Sequence, residues 1–290
     1  MEDIRIDSLA EVPFEAVADA FLAAFADYGM TLDYESLAAM LKRRGARFDL
    51  SFAAFAGNRI VSFIINGVGE FAGQITAYDT GTGTVKEFRG RGLTDRIFNY
   101  SVSRLVEAGV ERYLLEVLTH NAPAVKIYGR QGFSVVREFE CYTAPNAQVV
   151  ALLSAKAATS VRVEAVSVAD IERHAEFMDF APSWQNSLES VKRNPEAFLC
   201  LMAYDGERPI GWGVSETAYG DITLLAVDRR YRRRGVGSRL LLELIKKNHI
   251  GSAKVLNIED SEAAGPAKRF LESVGFSLSC RQYEMVRGLQ

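Results

Sequence analysis

The sequence predicts a mixed α+β fold laid down twice in one chain. Three observations predict it. An Arg/Gly turn, Phe88-Arg89-Gly90-Arg91-Gly92-Leu93-Thr94, returns as Tyr231-Arg232-Arg233-Arg234-Gly235-Val236-Gly237, an offset of 143 from Arg89 to Arg232. A Gly-Phe pair, Gly132-Phe133, returns as Gly275-Phe276 at the same spacing of 143. Two separate motifs at one offset point to duplication rather than chance. Around both, the hydrophobic pattern runs hairpin, strand, turn, helix, strand, helix, which is not the alternation of a βαβα chain.

Each half opens alike, with EDIRIDSLAEVPFEAVADAF and SVRVEAVSVADIERHAEF both reading as a strand followed by a helix. Hairpins follow: FDLSFAAF and RIVSFIING flank Gly57-Asn58, and FLCLMAY and RPIGWGVS flank Asp205-Gly206. Turn residues of this kind between apolar runs are strong hairpin signals. Beyond the second Arg/Gly turn, Val236, Leu240, Leu241, Leu244 and Ile245 make one apolar helical stripe, and Leu93, Ile97, Phe98 and Leu105 make a looser one beyond the first. Strand-like runs come next, Tyr113 to Leu118 and Ala253 to Ile258. An Ala/Ser-rich stretch, 144–160, marks the boundary, so the expected domains are 1–146 and 160–290 with a linker over 147–159. Its apolar patch AQVVALL also reads as a last strand or a docking segment.

Composition narrows the class. The chain of 290 residues is 48% hydrophobic, 24% charged and 10% aromatic, which excludes disordered, collagen-like and coiled-coil chains. A net charge of −3 supplies no global pull toward nucleic acid or an anionic membrane. The arginines of 229–234 therefore read as an anion site and a solvated face, and not as a nucleic-acid patch. No apolar run approaches the roughly 18 residues of a membrane span, and the acidic start lacks the order of a signal peptide. The three cysteines, Cys141, Cys200 and Cys280, are odd in number and far apart, which implies no disulfide framework and suits the reducing cytoplasm. His120, His174 and His249 stand singly, without metal-ligand spacing.

An Arg-x-x-Gly turn between a strand and a helix makes an anion site. The first helical turn has unpaired N–H groups and a partial positive charge, and glycines let the backbone approach the anion. Arg232, Gly235 and Gly237 form the fuller version; Arg89 and Gly92 form the other, with Thr94 at its last position. Neither is a Walker loop or a dinucleotide Gly-x-Gly-x-x-Gly.

Together with Asn121, Ala124, Tyr128 and Gly132-Phe133, spaced Asn-x-x-Ala-x-x-x-Tyr-x-x-x-Gly-Phe, these turns resemble the GCN5-related N-acetyltransferase (GNAT) superfamily over nearly the whole chain. The resemblance implies two GNAT-like domains, each a mostly antiparallel sheet flanked by helices. It implies acetyl-CoA as cofactor, with its pyrophosphate on the turns: Thr84, Val85, Arg89, Gly90, Arg91, Gly92, Leu93 and Thr94 in the first half, Val227, Arg232, Arg233, Arg234, Gly235, Val236, Gly237 and Ser238 in the second. Asn121 and Ala124 would lie along the pantetheine, and Tyr128 near the thioester sulfur. Asn121 is also a favoured helix N-cap.

The halves are unequal. At the positions of Asn121 and Tyr128 the second half has Ala264 and Leu271. Aminolysis of a thioester expels a thiolate, and a tyrosine hydroxyl can protonate it where leucine cannot. Catalysis is therefore expected in the first half, with Tyr128 as general acid. Catalysis in the second half, with Tyr219 or Tyr283 standing in, is the alternative, as is an acyl-CoA-binding protein without turnover. Glu116 is the first candidate for general base, with Tyr78 and Asp79 as rivals. An oxyanion is expected on a backbone N–H near Thr84 and Val85. Asp27 and Tyr28, in the loop after the first helix, are candidates for recognising a small-molecule or peptide amine. Trp184 to Ser187 read either as lining of an acceptor cleft or as a packed helix start.

Overall fold

The structure, a computed structural model, describes residues 3–28, 32–154 and 161–289. The chain forms two compact units, one of Met1–Val117, Asn121–Val136 and Glu284–Gln290, the other of Leu118–His120 and Arg137–Tyr283.

In unit 1 the chain runs β1 (Ile4–Ser8), α1 (Phe14–Phe25), α2 (Tyr34–Arg43), β2 (Phe52–Ala56), β3 (Arg59–Phe71), β4 (Gln74–Thr84), α3 (Leu93–Glu107), β5 (Arg112–Leu118) and α4 (Ala122–Arg130). Strands β1 to β4 pair antiparallel in sequence order. The aromatic residues of α1 build the core, with the Phe21 ring stacked 5.7 Å from that of Phe63. Two glycines of β4 make this packing possible. A Cβ on Gly81 would lie 2.7 Å from the Phe21 ring, and one on Gly83 would lie 2.6 Å from the Phe63 ring. The apolar stripe of α3 is its buried face: Leu93, Ile97, Phe98 and Leu105.

One local irregularity shapes the unit. Along β3 and β4 the register passes from Asn66↔Asp79 to Ile65↔Gly81, which leaves Thr80 as an extra residue. Such a bulge bends its strand. Strand β5 lies parallel to β4 only at Thr76↔Arg112, Ala77↔Tyr113 and Tyr78↔Leu114. Past the bulge the two strands part, and the last five residues of β4 run with an open side.

Unit 2 repeats the plan. After β6 (Ser134–Pro145) and α5 (Asn146–Ser154) come β7 (Arg162–Ala165), α6 (Val168–Glu172), α7 (Leu188–Arg193), β8 (Leu199–Asp205), β9 (Arg208–Glu216), β10 (Asp221–Val227), α8 (Val236–Ile245), β11 (Ser252–Glu259), α9 (Gly265–Ser273) and β12 (Ser277–Gly288). Strands β7 to β10 are antiparallel neighbours. The register breaks at Thr223, and β11 pairs parallel with β10 only at Asp221↔Lys254 and Ile222↔Val255 before diverging. Helix α8 buries Val236, Leu240, Leu241, Leu244 and Ile245, the stripe read from the sequence.

Neither unit is a contiguous half. Residues 139–145 of β6 pair antiparallel with β11 inside unit 2, and in unit 1 the Leu289 amide donates to the Glu111 carbonyl at 2.8 Å. The expected halves 1–146 and 160–290 therefore do not coincide with the compact units: most of β6 belongs to unit 2, and 284–290 belong to unit 1. Periodicity along the chain marks the strands but carries no signal of which neighbour each will pair with. Of the expected linker, 147–154 is helical, with Val149 and Leu153 fully buried in the core of unit 2, and 155–160 lie outside the described residues. Among the described residues no helix is long and apolar enough to cross a membrane, and no group of three His, Cys, Asp or Glu side chains could hold a metal ion.

Candidate active site

In unit 1 the open side of β4 gathers the chemistry. Tyr128, from α4, donates its hydroxyl to Asp79 Oδ2 at 3.3 Å, and Thr82 donates to the same oxygen at 2.7 Å. The other oxygen, Oδ1, is buried without a hydrogen-bond partner among the described residues. Burial pushes the Asp79 carboxyl up from 3.8 to about 6, against the bonds from Thr82 and Tyr128, the Gly81 amide and the charge of Arg44, which pull it down. Burial, then the charge and hydrogen bond of Asp79, push the Tyr128 hydroxyl well above its ordinary value. The pair therefore separates into a hydroxyl that keeps its proton and a carboxylate that gives its proton up near neutrality.

Glu116 lies on β5, and its charge, after burial, raises Tyr78. Tyr78 itself is 3% exposed, and burial is the larger cause of that rise. Asn121 caps α4, its side chain accepting the Ala124 amide at 3.3 Å.

The anion turn is built as its sequence requires. Gly90 and Gly92 have φ of 75° and 69°, and Gly92 is the N-cap of α3. Such angles are strained for any residue with a Cβ. Arg89 braces the turn. Its guanidinium donates to the Thr84 carbonyl at 3.1 Å, to Asp27 at 3.0 Å and to the Ala24 carbonyl at 2.9 Å. Arg91 lies over the Phe88 ring at 4.5 Å and donates to the Glu87 carbonyl. Leu93 is buried, and the Thr94 hydroxyl lies 3.4 Å from that of Thr84. Val85 donates its amide to the Val61 carbonyl at 3.0 Å, so this N–H is engaged in the fold and not open to an oxyanion. Asp27 holds Arg89 and, at 3.6 Å, Lys86. The Tyr28 backbone closes a short 3-10 turn with Asp27; its side chain lies outside the described residues.

Unit 2 carries the counterpart turn with a different interior. Arg232 donates to the Val227 carbonyl and to Asp179, both at 3.0 Å, as Arg89 does to Thr84 and Asp27. Gly235 caps α8 at φ 81°, Arg233 takes φ 61°, and Arg234 lies 5.3 Å over the Tyr231 ring. Val236 and Ser238 are buried in the first turn, and a Cβ on Gly237 would sit in ordinary contact, 3.7 Å from Phe270 and Val227. A cavity of about 700 Å³ opens behind this turn between the parted strands β10 and β11. By the register of the bulges, Ile222 stands where unit 1 has Asp79, and Leu271 stands for Tyr128; both are buried in the core. Neither Tyr219 nor Tyr283 is among the residues on the cavity wall. Trp184 is fully buried under the Arg193 guanidinium, the packed reading of that stretch, while Asn186 reaches the cavity.

The sequence pattern of the acetyltransferase (GNAT) family matches residues 14–133 and 165–276. The chain belongs to that family. A tandem GNAT protein from the clavulanic acid biosynthesis pathway superposes with a TM-score of 0.72 at 13% identity, covering 99% of each chain. A GCN5-related N-acetyltransferase from Sphaerobacter thermophilus gives 0.68 at 15% identity, covering 99% of this chain and 96% of the other. At these identities the likeness is one of fold. Among curated relatives, mycothiol acetyltransferase of Corynebacterium aurimucosum is 41% identical over 56 residues, which is 19% of this chain and 18% of that one. N-alpha-acetyltransferase MAK3 of Arabidopsis thaliana is 30% identical over 84 residues, 29% of this chain and 44% of its own. The chain thus spans less than half the length of both relatives. The tandem GNAT architecture explains the repeat at 143 residues: each copy keeps the braced Arg/Gly turn and the parted strands, and only the first keeps the tyrosine.

Sequence reasoning does not reach Thr82, Arg44 or Thr223. They matter through a bulge and a strand divergence, neither of which has a signature in spacing. The Thr-Gly alternation of Thr80 to Thr84 is the one local hint, since glycines in a strand often mark close approach or a bulge.

Proposed function

We propose that the protein is an acetyl-CoA-dependent N-acetyltransferase that moves an acetyl group to a small-molecule or peptide amine by direct attack in a ternary complex, with the chemistry in unit 1. The observation that carries this reading is the Tyr128–Asp79 pair on the open side of β4, one group held protonated and the other poised near neutrality. The residues present fit the cofactor. Left-handed glycines leave the α3 N-terminus open to a diphosphate, and Asp79 Oδ1 is a buried oxygen awaiting a donor. Acetyl-CoA supplies the activated acetyl thioester.

Each side chain then has one task. The backbone of Gly90 to Thr94 holds the phosphates, while Arg89 fixes the turn to Asp27 and to the end of β4. Asn121 orients the first turn of α4, and with it Tyr128. Tyr128 gives its proton to the departing sulfur; its bond to Asp79, at 3.3 Å, is long enough to be exchanged. Asp79, ionised above about pH 6, takes the proton from the attacking amine. Glu116 is the alternative base. Asp27 acts as the brace of Arg89 in this scheme and not as an amine ligand. The free thiols of Cys141, Cys200 and Cys280 suit a reducing compartment, and we place the protein in the cytoplasm.

A second reading, catalysis in unit 2, draws on the cavity behind its turn. Thiol release from acetyl-CoA, followed with DTNB across a panel of primary amines and peptide N-termini, tests the proposal. Amine-dependent release supports it. Binding of acetyl-CoA with no release under any amine overturns it in favour of a sensor of acyl-CoA.

A further inference from the structure

We propose that Thr82 is a positioning residue for acetyl transfer: its hydroxyl holds one oxygen of the Asp79 carboxylate and so presents the other to the attacking amine. The inference rests on the reading that Asp79 and Tyr128 carry the reaction in unit 1, and adds the group that keeps their geometry while protons move.

Three observations support it. First, the contact exists only because of the bulge. Residues three apart in a regular strand point to opposite faces. The extra residue Thr80, at which the register passes from Asn66↔Asp79 to Ile65↔Gly81, cancels that alternation and sets Thr82 on the face of Asp79. The Thr82 hydroxyl then donates to Asp79 Oδ2 at 2.7 Å, a shorter bond than the 3.3 Å one from Tyr128 to the same oxygen. Second, both donors sit on Oδ2, while Oδ1 is buried with no hydrogen-bond partner among the described residues. A carboxylate oxygen whose charge is already met by two donors is the poorer proton acceptor, and a bare buried one is the better. The arrangement therefore assigns Oδ1 to the amine.

Third, the other copy of the fold gives up all three groups together. At the offset of 143, Asp79, Thr82 and Tyr128 become Ile222, Leu225 and Leu271, whereas the bulge residue Thr80 stays threonine as Thr223. The registers agree, with Ile222 just before the unit 2 bulge and Leu225 two residues past it. The bulge thus belongs to the scaffold of each unit, and Thr82 goes with the acid and the base. Its task follows from the order of events. As the amine nitrogen bonds to the thioester carbon, its proton passes to Asp79 Oδ1; as the carbon–sulfur bond breaks, Tyr128 gives its proton to the sulfur. To do so Tyr128 must leave Oδ2, and Thr82 is the donor that remains there and stops the carboxylate from turning. One proton passed from Asp79 to Tyr128 then restores both groups. Burial, then Asp79, raise the Tyr128 hydroxyl, and Thr82 works against both.

The test compares, in the full chain, Thr82→Val, which keeps the shape without the hydroxyl, with Thr82→Ser, which keeps the hydroxyl. The other charged and titratable groups that bear on Asp79, or on Tyr78 beside it, are the same in both: Arg44 at the C-cap of α2, Tyr113 and Glu116 of β5, Tyr128 of α4 and Glu284 of β12. In amine-dependent thiol release, Thr82→Val should lower kcat about tenfold above about pH 8, with the KM for acetyl-CoA unchanged. It should also move the acid limb of the profile up from about 6 by about one pH unit, because the carboxylate has lost a donor. Thr82→Ser should restore both. The same loss can be read without turnover. A carboxyl raised further gives up folded stability as pH climbs through its new value. In urea, the unfolding constant of Thr82→Val relative to the parent should therefore rise about tenfold between about pH 5 and about pH 8.5, and that of Thr82→Ser should not. An acid limb left in place overturns the proposal, as does an unchanged kcat above about pH 8, or equal impairment of Thr82→Val and Thr82→Ser, which would make the role one of shape. A parent that releases no thiol with any amine refutes the acetyltransferase reading instead. The urea curves then decide alone: the pH-dependent rise retains Thr82 as the holder of Asp79, and parallel curves remove it.

Discussion

Replacing Asp79 by asparagine should make the stability of the protein relative to the parent rise with pH, while disabling it. In the folded chain this half-buried carboxyl titrates at about 6, against 3.8 for an ordinary one. A gap of that size corresponds to about 3 kcal/mol. A raised carboxyl favours folding most below pH 3.8, and that advantage is lost as pH rises through 6, where the native state must carry a buried charge. Asparagine has no such titration. The stability of Asp79→Asn relative to the parent should therefore climb by about 3 kcal/mol between about pH 3.5 and about pH 7.5, whatever constant offset the altered bonds to Thr82 and Tyr128 introduce. Urea denaturation of both proteins across this range reads the difference directly. Thiol release at neutral pH should fall at least about a hundredfold in the same variant if Asp79 is the base. A pH-independent stability difference would refute the argument that burial has raised this group. A variant that is both less stable at neutral pH and fully active would refute its role.

Three further outcomes follow from the same geometry. Gly92→Ala adds a Cβ that meets no atom within 4 Å but forces alanine to φ 69°; it should lower stability by about 1–2 kcal/mol and raise the KM for acetyl-CoA, measured by melting and by steady-state kinetics. Glu116→Gln should leave the acid limb of the pH–rate profile near 6 if Asp79 is the base, and a displaced limb would reassign that role to Glu116. In unit 2, burial works to raise Glu140, but hydrogen bonds from Tyr142, Lys268 and Arg281 hold it down at about 2. Glu140→Gln should cost about 2–3 kcal/mol at neutral pH, and the loss should fade as pH falls from 4.5 toward 2 in acid-denaturation curves.

Much of this was legible in the residues. The spacing of 143 is visible because both copies keep the positions where chemistry leaves no choice: an arginine that ties a strand end to a loop carboxylate, and glycines at positive φ. The stripes of α3 and α8 were legible because a helix buries one face at a fixed period. The placing of most of β6 in unit 2, and of 284–290 in unit 1, was not. The run Ser134–Pro145 is exposed at its start and buried over Phe139–Tyr142, a pattern that names no neighbour, and only three-dimensional closure decides the pairing. The Tyr128–Asp79 contact was half legible: the tyrosine stands in a motif, whereas Asp79 owes its position to the extra residue at Thr80. The difference between the two interiors was anticipated at Leu271 but not at Ile222, because a single apolar residue in an apolar strand is silent until its counterpart is seen to be a carboxylate.

The most direct test of where the chemistry lies is the turnover number of Tyr128→Phe in the full chain, at saturating acetyl-CoA and amine, with acetyl-CoA affinity measured alongside. The ring remains to pack on Phe133, and only the hydroxyl is lost. Catalysis in unit 1 requires kcat to fall about a hundredfold or more with affinity for acetyl-CoA little changed. Undiminished turnover would remove unit 1 from the reaction and move the search to unit 2.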